Sequence, residues 1–529
     1  MDQPTLLARL TDPACFPEPT TTVDVIQTHI STIFLTDRFA YKVKKPVNFG
    51  FLDYTTLERR RHFCEQEVNL NRRLAPEVYL DVVDIRDNGG VVSIGGRGET
   101  VEVAVKMVRL PAERMMRSML ERGEVTRAHI EGIATLLAAF HTKAETGPEI
   151  QRLKGLEGVT FNCEENFSQT APYVGRLLDA TTAAFIRTST LLFLARHTGL
   201  FRDRAAQGRV RDGHGDLHLD SICLTEPVRI FDCIEFNDRF RYADVAEEVA
   251  FLAMDLEHNG RDDLARAFVD AYVGASGDSQ LLDLIDFYKC YRAYVRAKVN
   301  AFQSDAADLP AERRTAIAAT ATAYFQRARQ YAESFNPQRL VVTCGLTGTG
   351  KSTLARKLAS QFSLEVVRSD VVRKELLGLA PNDRCHVPFG EGEYAANTTD
   401  RTYAAMLTRA RDLLACGHSV ILDGCFIQRD QRAGAVQLGA TTGVPLLVLE
   451  CRADEATVRS RLERRRANPQ AVSDGRWEIY RGQLEQFEPP DEIPQHERIV
   501  LDRSRPVEEL MGTLAEHMPA AWRASGRPA

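Results

Sequence analysis

At 529 residues the chain has room for two to four domains of the usual ~100–200 residues. Apolar residues make up 44% and charged residues 26%, an ordinary globular balance that excludes disordered and fibrous classes. A net charge of −6 argues against a general nucleic-acid footprint. The 11 cysteines form no C-x-x-C pair, and Cys344, Cys416 and Cys451 sit in apolar runs, which predicts reduced, buried thiols in a cytoplasmic protein. Met1 to Pro19 lacks the basic and apolar regions of a secretory signal. No apolar run reaches the ~20 residues of a membrane span, so no membrane partner is expected.

In chain order, Val25–Leu35 and Phe39–Lys44 are rich in β-branched and aromatic residues and flank Thr36-Asp37-Arg38, the pattern of a hairpin. A stripe of Phe63, Glu67, Leu70 and Leu74 predicts a helix over Leu57–Leu74. Val78–Ile85, Val91–Ile94 and Val101–Val108 read as strands, with a turn at Asn88-Gly89-Gly90. From Glu113 to Ser334 the pattern is helical, interrupted by an irregular stretch at Gly213–Asn237. Phe335-Asn336-Pro337-Gln338 breaks the long helix Ala311–Ser334 and marks a domain boundary, giving domains 1–335 (small lobe about 1–110, helical lobe about 111–335) and 336–529. Beyond it the strands Arg339–Cys344, Leu364–Val367, Ser419–Asp423, Leu446–Glu450 and Arg498–Leu501 alternate with helices Lys351–Gln361, Ala395–Cys416 and Asp454–Arg466. That alternation predicts an α/β fold with a parallel sheet covered on both faces.

Gly345-Leu-Thr-Gly-Thr-Gly-Lys351-Ser352 fits the pattern G-x-x-x-x-G-K-S/T, with an apolar strand before it and a helix after it. Glycines let backbone N–H groups wrap phosphates without a Cβ clash, and the helix turns its positive end toward them. Gly345, Gly348, Thr349, Gly350, Lys351, Ser352 and Thr353 are the cofactor-binding candidates; Lys351 suits the β and γ phosphates of ATP and Ser352 suits Mg²⁺. Asp370, just past the second strand, can take a proton from an acceptor hydroxyl or cap the following helix, and Arg373 can hold a substrate anion or lie solvated. Asp423, closing the run Ser419-Val-Ile-Leu, suits the magnesium shell or a strand-end turn. Arg459, Arg461, Arg464, Arg465 and Arg466 crowd one helix, either as a solvated face or as a lid, with Arg461 the candidate for the lid. Together, P-loop, S-D-x-x-R, V-I-L-D-G and an arginine-rich helix resemble the small P-loop kinases: gluconate kinase, polynucleotide kinase, chloramphenicol phosphotransferase and the zeta-toxin group. The likeness covers about Arg339 to the end and implies ATP and Mg²⁺ as cofactors.

In the irregular stretch, His214-Gly-Asp216-Leu-His218-Leu-Asp220-Ser221 precedes Arg229-Ile-Phe-Asp232. Two carboxylates in adjacent loops suit phosphoryl transfer, Asp216 accepting the hydroxyl proton and Asp232 binding Mg²⁺. Lys42 on a strand can face the phosphates and Glu67 on the next helix can pair with it; Lys44 points the same way as Lys42, and Glu65 is the alternative acid. The order Lys, Glu, Asp, Asp occurs in protein kinases. With Leu137-Ala-Ala-Phe-His141, this set resembles the aminoglycoside phosphotransferase family, over about Val25 to Ser334, and implies a bilobal kinase-like α+β fold. The whole chain resembles two-part bacterial proteins that fuse such a domain to a P-loop kinase, and the run from Tyr41 to Asp53 is similar to that group's signature. The family's catalytic loop carries a metal-binding asparagine where this chain has Ser221, whose hydroxyl is a shorter ligand; His141 and His218 are expected to be structural. The expected function is ATP-dependent transfer of a γ-phosphate to the hydroxyl of a small-molecule or nucleotide-like acceptor, at two sites. The alternative is a regulatory protein with a nucleotide-sensing first half and a P-loop ATPase or toxin-like switch.

Overall fold

Helix α1 (Gln3–Arg9) precedes six strands: β1 (Asp24–Gln27), exposed along its length, then β2 (Ser31–Leu35), β3 (Phe39–Lys44), β4 (Tyr79–Asn88), β5 (Val91–Ile94) and β6 (Glu99–Val108). They form an antiparallel sheet in the order β1-β2-β3-β6-β4-β5. One face, with Phe34, Tyr41, Val43 and Ile85, packs with Leu6 and Leu10. The other, with Ala40, Val103 and Val105, packs with Cys64 and Val68 of α2 (Leu57–Asn71). Because residues two apart share a face, Lys42 and Lys44 are on the α2 side with Ala40. The computed structural model describes residues 2–50, 52–306, 309–380, 395–467 and 475–516.

Two expectations in this region are corrected. The run 25–35 is two strands, β1 and β2, because Thr28 and Ser31 bond to each other and close a turn: Thr28 Oγ1 donates to Ser31 O at 3.0 Å and accepts from Ser31 N at 2.9 Å. The helix ends at Asn71, and its buried face is Arg60, Cys64, Glu67, Val68 and Asn71, with Phe63 and Leu70 half-buried. That face meets charged partners, Arg60 on Glu102 and Glu67 on the lysines, so of the expected stripe Glu67 and Leu74 are buried while Phe63 and Leu70 lie at its edge.

The following part of the chain is largely helical: α3 (Met116–Glu121), α4 (Arg127–Lys143), α5 (Pro148–Lys154), α6 (Leu156–Thr170), α7 (Ala180–Arg196) and α8 (Thr198–Ala206). Then β7 (Val210–Asp212), β8 (Ile222–Cys223), β9 (Arg229–Ile230), α9 (Asp238–Arg241) and β10 (Tyr242–Asp244) lead to α10 (Val245–His258), α11 (Asp262–Ser276), α12 (Ile285–Ser304) and α13 (Ala311–Phe335). The irregular stretch carries the ribbon β8–β9, and β7 pairs with β10.

Beyond Asn336 come β11 (Leu340–Cys344), α14 (Lys351–Phe362), β12 (Leu364–Arg368), α15 (Ser369–Leu376), α16 (Ala396–Ala415), β13 (Ser419–Asp423), α17 (Arg429–Thr442), β14 (Leu446–Arg452), α18 (Glu455–Ala467), α19 (Trp477–Glu485), β15 (Arg498–Asp502) and α20 (Val507–Glu516). All five strands are parallel, in the order β12-β13-β11-β14-β15. Val342 and Leu422 pack on one face of this sheet, and Val341 and Ile421 pack on the other. The mixed α/β architecture is the expected one. With β11 central, the carboxyl ends of β11, β12 and β13 lie side by side, and register places Arg368 opposite Asp423.

The boundary after residue 335 is redrawn. The chain forms two compact units, Met1–Ser168 with Thr198–Gln303, and Gln169–His197 with Ser304–Ala529. Helices α7 and α13 thus belong with the parallel sheet. Arg329 lies over the Phe185 ring at 4.4 Å, and Asn336 Nδ2 donates to Ser189 Oγ at 2.9 Å and Gly417 O at 2.8 Å. Arg196 Nη2 donates to Phe362 O at 3.1 Å. A break in helical pattern locates a turn, and the packing of α7 could not be read from it. Among the described residues no helix is long and apolar enough to cross a membrane.

Candidate nucleotide sites

In the second unit, the chain leaves β11 through Gly345, Gly348 and Gly350, all at positive φ, and enters α14 at Lys351. Glycine is required at Gly345: a Cβ there would stand 2.4 Å from the Cys451 carbonyl of β14. Thr349 Oγ1 donates to Leu346 O at 2.8 Å and Lys351 Nζ donates to the same oxygen at 2.7 Å, so the lysine folds back over the loop. Thr353 is exposed on the far side of the first turn.

Ser352 Oγ donates to Asp423 Oδ1 at 3.1 Å, and Arg368 Nε lies 3.3 Å from Asp423 Oδ2. Burial pushes the Asp423 carboxyl up, against the pull of Ser352 and Arg368. Asp370 is in the first turn of α15 with Arg373 Nη1 at 3.7 Å. The helix begins at Ser369, earlier than expected, and neither Ser369 nor Asp370 is its side-chain cap. Lys351, Ser352, Asp370, Arg373, Asp423 and Arg465 line one cleft of about 330 Å³. The cleft-lining arginine of α18 is therefore Arg465. Arg461, the expected lid residue, stands against Gly350 and donates from Nη2 to Arg503 O at 2.7 Å. Arg503 beside it was missed, although its place just past β15, at the carboxyl edge of the sheet, was a usable signal. Gln483, whose Oε1 accepts from Thr347 N at 2.7 Å, carried no signal.

In the first unit, alternation along β3 brings Lys42 and Lys44 to one acid. Lys42 Nζ is 2.8 Å from Glu67 Oε1 and 2.7 Å from Asp232 Oδ1. Lys44 Nζ is 2.6 Å from Glu67 Oε2 and also pairs with Glu235. Glu65, the alternative acid, is exposed. Tyr54 donates to Glu235 Oε1 at 2.5 Å. Burial favours a neutral Glu67, but the two ammonium groups hold it below the usual carboxylate range. Asp232 adopts a left-handed backbone (φ 65°), and its N–H donates to the Tyr79 hydroxyl at 3.1 Å.

Asp216 lies beside His218, with Oδ2 3.3 Å from Nε2. Partial burial favours the neutral acid, yet His218, with Arg296 and Arg292, holds the carboxyl low. His218 is pushed up to about 9 despite its burial, by Asp216 and by Asp220 on its other nitrogen. The Ser221 hydroxyl donates to His218 O at 2.8 Å and accepts from His218 N at 3.0 Å, which ties it to the loop backbone. Glu248 of α10 was missed. Its carboxylate accepts from the His214 and Gly215 amides and meets His141 Nε2 at 2.7 Å, so His141 supports the loop from behind.

A glycine-wrapped loop between a central strand and a helix, with a buried carboxylate at the adjacent strand end, defines a P-loop nucleotide-binding domain. A family model described as an AAA domain matches residues 340–490. Uncharacterized proteins of Mycobacterium tuberculosis (strain H37Rv) and Mycobacterium bovis are each 34% identical over 464 residues, covering 86% of this chain and 88% of theirs. The chain belongs to the family of these mycobacterial proteins. Among solved structures, an unliganded sugar kinase of Janibacter sp. is 20% identical over 36% of this chain and all of its own (100%), with a TM-score of 0.28. Kti12 of Chaetomium thermophilum, in complex with ADP-AlF3, is 18% identical over 34% of this chain and 100% of its own, with a TM-score of 0.27. A gluconokinase of Sinorhizobium meliloti is 18% identical over 36% and 93%, with a TM-score of 0.24.

Proposed function

We propose that the chain is an ATP-dependent phosphotransferase with two nucleotide sites, each moving a γ-phosphate to the hydroxyl of a small-molecule or nucleotide-like acceptor. The observation that carries this reading is the single cleft in which the P-loop, the Ser352–Asp423 pair and Asp370 meet. The donor set fits a metal-bound triphosphate: open backbone amides for phosphate, and a hydroxyl and a carboxylate for a hard divalent cation. When bound, magnesium neutralises phosphate charge. Lys351 turns from Leu346 O to the β and γ phosphates, Asp370 takes the acceptor proton, and Arg373 holds the acceptor.

The first unit follows the aminoglycoside-phosphotransferase-like pattern in this reading. Lys42, fixed by Glu67, holds phosphate; Asp232 holds the metal; Asp216 takes the proton. Ser221 shapes the loop, which leaves Asp232 as the main protein ligand. That commitment of Ser221 also favours a second reading, in which this unit binds nucleotide as a sensor without turnover. The experiment is transfer from γ-labelled ATP into a metabolite extract by the full chain, its Lys351→Ala and Asp232→Ala variants and the double variant. Each single variant is expected to lose one set of labelled products and the double variant both. A product set untouched by Asp232→Ala but lost with Lys351→Ala alone would assign the first unit to sensing.

A further inference from the structure

The end of α2 grips the loop that carries Asp232. Asp232 is held at φ 65°, a left-handed conformation that glycine enters freely and a residue with a side chain enters at a cost. Two consecutive amides secure it. The Asp232 N–H donates to the hydroxyl of Tyr79, at the start of β4, at 3.1 Å, and the Cys233 N–H donates to Asn71 Oδ1, at the end of α2, at 2.8 Å. Asn71 and Tyr79 are each 1% exposed, so water hardly competes for either acceptor. On its other side Asn71 Nδ2 donates to Glu67 O at 2.8 Å. One partner is a donor and the other an acceptor, which fixes the orientation of the carboxamide. Arg73 adds a further hold: its Nη2 reaches Cys233 Sγ at 3.4 Å and Gly213 O at 2.7 Å.

These contacts key two positions to one helix. Glu67 fixes Lys42, the phosphate-binding candidate, and Asn71, one turn later on the same buried face, fixes the main chain beside Asp232. The Asp232 carboxylate gives Oδ1 to Lys42 and stays 56% exposed, which fits a hard divalent cation that takes oxygen ligands and keeps some of its water. Without the acceptors on residues 232 and 233, two N–H groups lose their partners, and nothing offsets the cost of the left-handed backbone. Relaxation of Asp232 to negative φ would then turn its carboxylate away from Lys42.

We infer that Asn71 and Tyr79 are positioning residues for the metal site of the first unit: they hold Asp232 in the backbone conformation that presents its carboxylate to a divalent cation beside Lys42. This rests on the reading of Asp232 as the metal ligand. Both residues act through the main chain of residues 232 and 233. Their loss therefore shows in metal affinity, and excess metal overcomes it.

The test uses the full chain with Lys351→Ala, which weakens the P-loop site, a non-hydrolysable ATP analogue, and Mn²⁺ in place of Mg²⁺. Free Mn²⁺ is read from its electron paramagnetic resonance signal. Metal bound by this chain and lost in its Asp232→Ala variant belongs to the first unit. Tyr79→Phe, which deletes one oxygen, and Asn71→Ala are each expected to raise the dissociation constant of that metal about three- to tenfold, the weight of one hydrogen bond. At excess Mn²⁺ both variants should regain the parental stoichiometry, which a collapsed site would not allow. Should Asn71→Ala fail to fold, Tyr79→Phe alone decides. Parental metal affinity in either folded variant, or a stoichiometry that excess metal does not restore, overturns the inference and leaves Asp232 as the ligand. Equal metal binding with and without Asp232→Ala overturns both the inference and the reading beneath it.

Discussion

The two candidate sites assemble charge in opposite ways. In the P-loop unit the centre of the positive field comes from backbone amides and a helix end, with Lys351, Arg368, Arg373 and Arg465 added around the cleft. In the first unit it comes from side chains, and Lys42 and Lys44 stay buried only because Glu67, Asp232 and Glu235 alternate with them. A field carried by the backbone must be contiguous in sequence. A field carried by side chains can be gathered from anywhere, and here it spans residues 42 to 235.

The comparison can be broken at several points. The largest effect is expected in the P-loop unit from Asp370→Asn: phosphoryl transfer should fall by about 10²–10⁴ with ATP affinity nearly intact, the usual share of a general base. Equal rates for parent and variant, measured with the unit's own acceptor, would make Asp370 a structural residue of α15. Next, Lys44→Met should cost the first unit about 3–5 kcal/mol in denaturant unfolding, because Glu235 and one oxygen of Glu67 lose their ammonium partner and only the Tyr54 hydroxyl remains on Glu235. A loss under ~1 kcal/mol would show that the ladder is not what holds those acids.

His218 sharpens the comparison through pH. Its folded value, about 9, lies above the ordinary 6.5, so its contribution is complete below pH 6.5 and is lost as pH rises toward 9. At most ~3 kcal/mol is involved. Lys154 and Lys298, lowered to about 8, act in the opposite sense above that pH. The effect is therefore read as the stability difference between parent and His218→Gln, which should shrink between pH 6.5 and 9.5; a constant difference would refute the charged His218–Asp216 pair. The smallest effect is expected from Lys351→Ala, a loss of at least about tenfold in ATP affinity by calorimetry; unchanged affinity would remove the lysine from the phosphate site.

The same contrast explains what the sequence disclosed. The P-loop was legible because Gly345 must avoid a carbonyl and Gly350 must cap α14 at positive φ, demands that only glycine meets at fixed spacing. Lys42 and Glu67 were legible because period-two and helical spacing put them on facing sides. Lys44 and Glu235 were not resolved as partners, since their pairing depends on how a loop 191 residues on returns to β3. The loop bonds of Ser221 were not legible because a hydroxyl can bond its own loop as readily as a metal. Arg465 and Arg461 differ by one helical turn, and only the placement of α18 distinguishes them.

The excursion of residues 169–197 into the second unit bears on the order of synthesis. Helix α7 ends at Arg196 and its partner α13 begins at Ala311, 115 positions later (311 − 196). At about 5–20 residues per second, α7 exists for roughly 6–23 s before α13 is made, and longer before the sheet is complete. During that interval Phe185 lacks Arg329 and Phe193 lacks Phe335, the partners that α13 supplies. Nascent chain stalled near residue 300 should therefore engage a hydrophobic-binding chaperone at this segment and release it once residues through β14 have emerged.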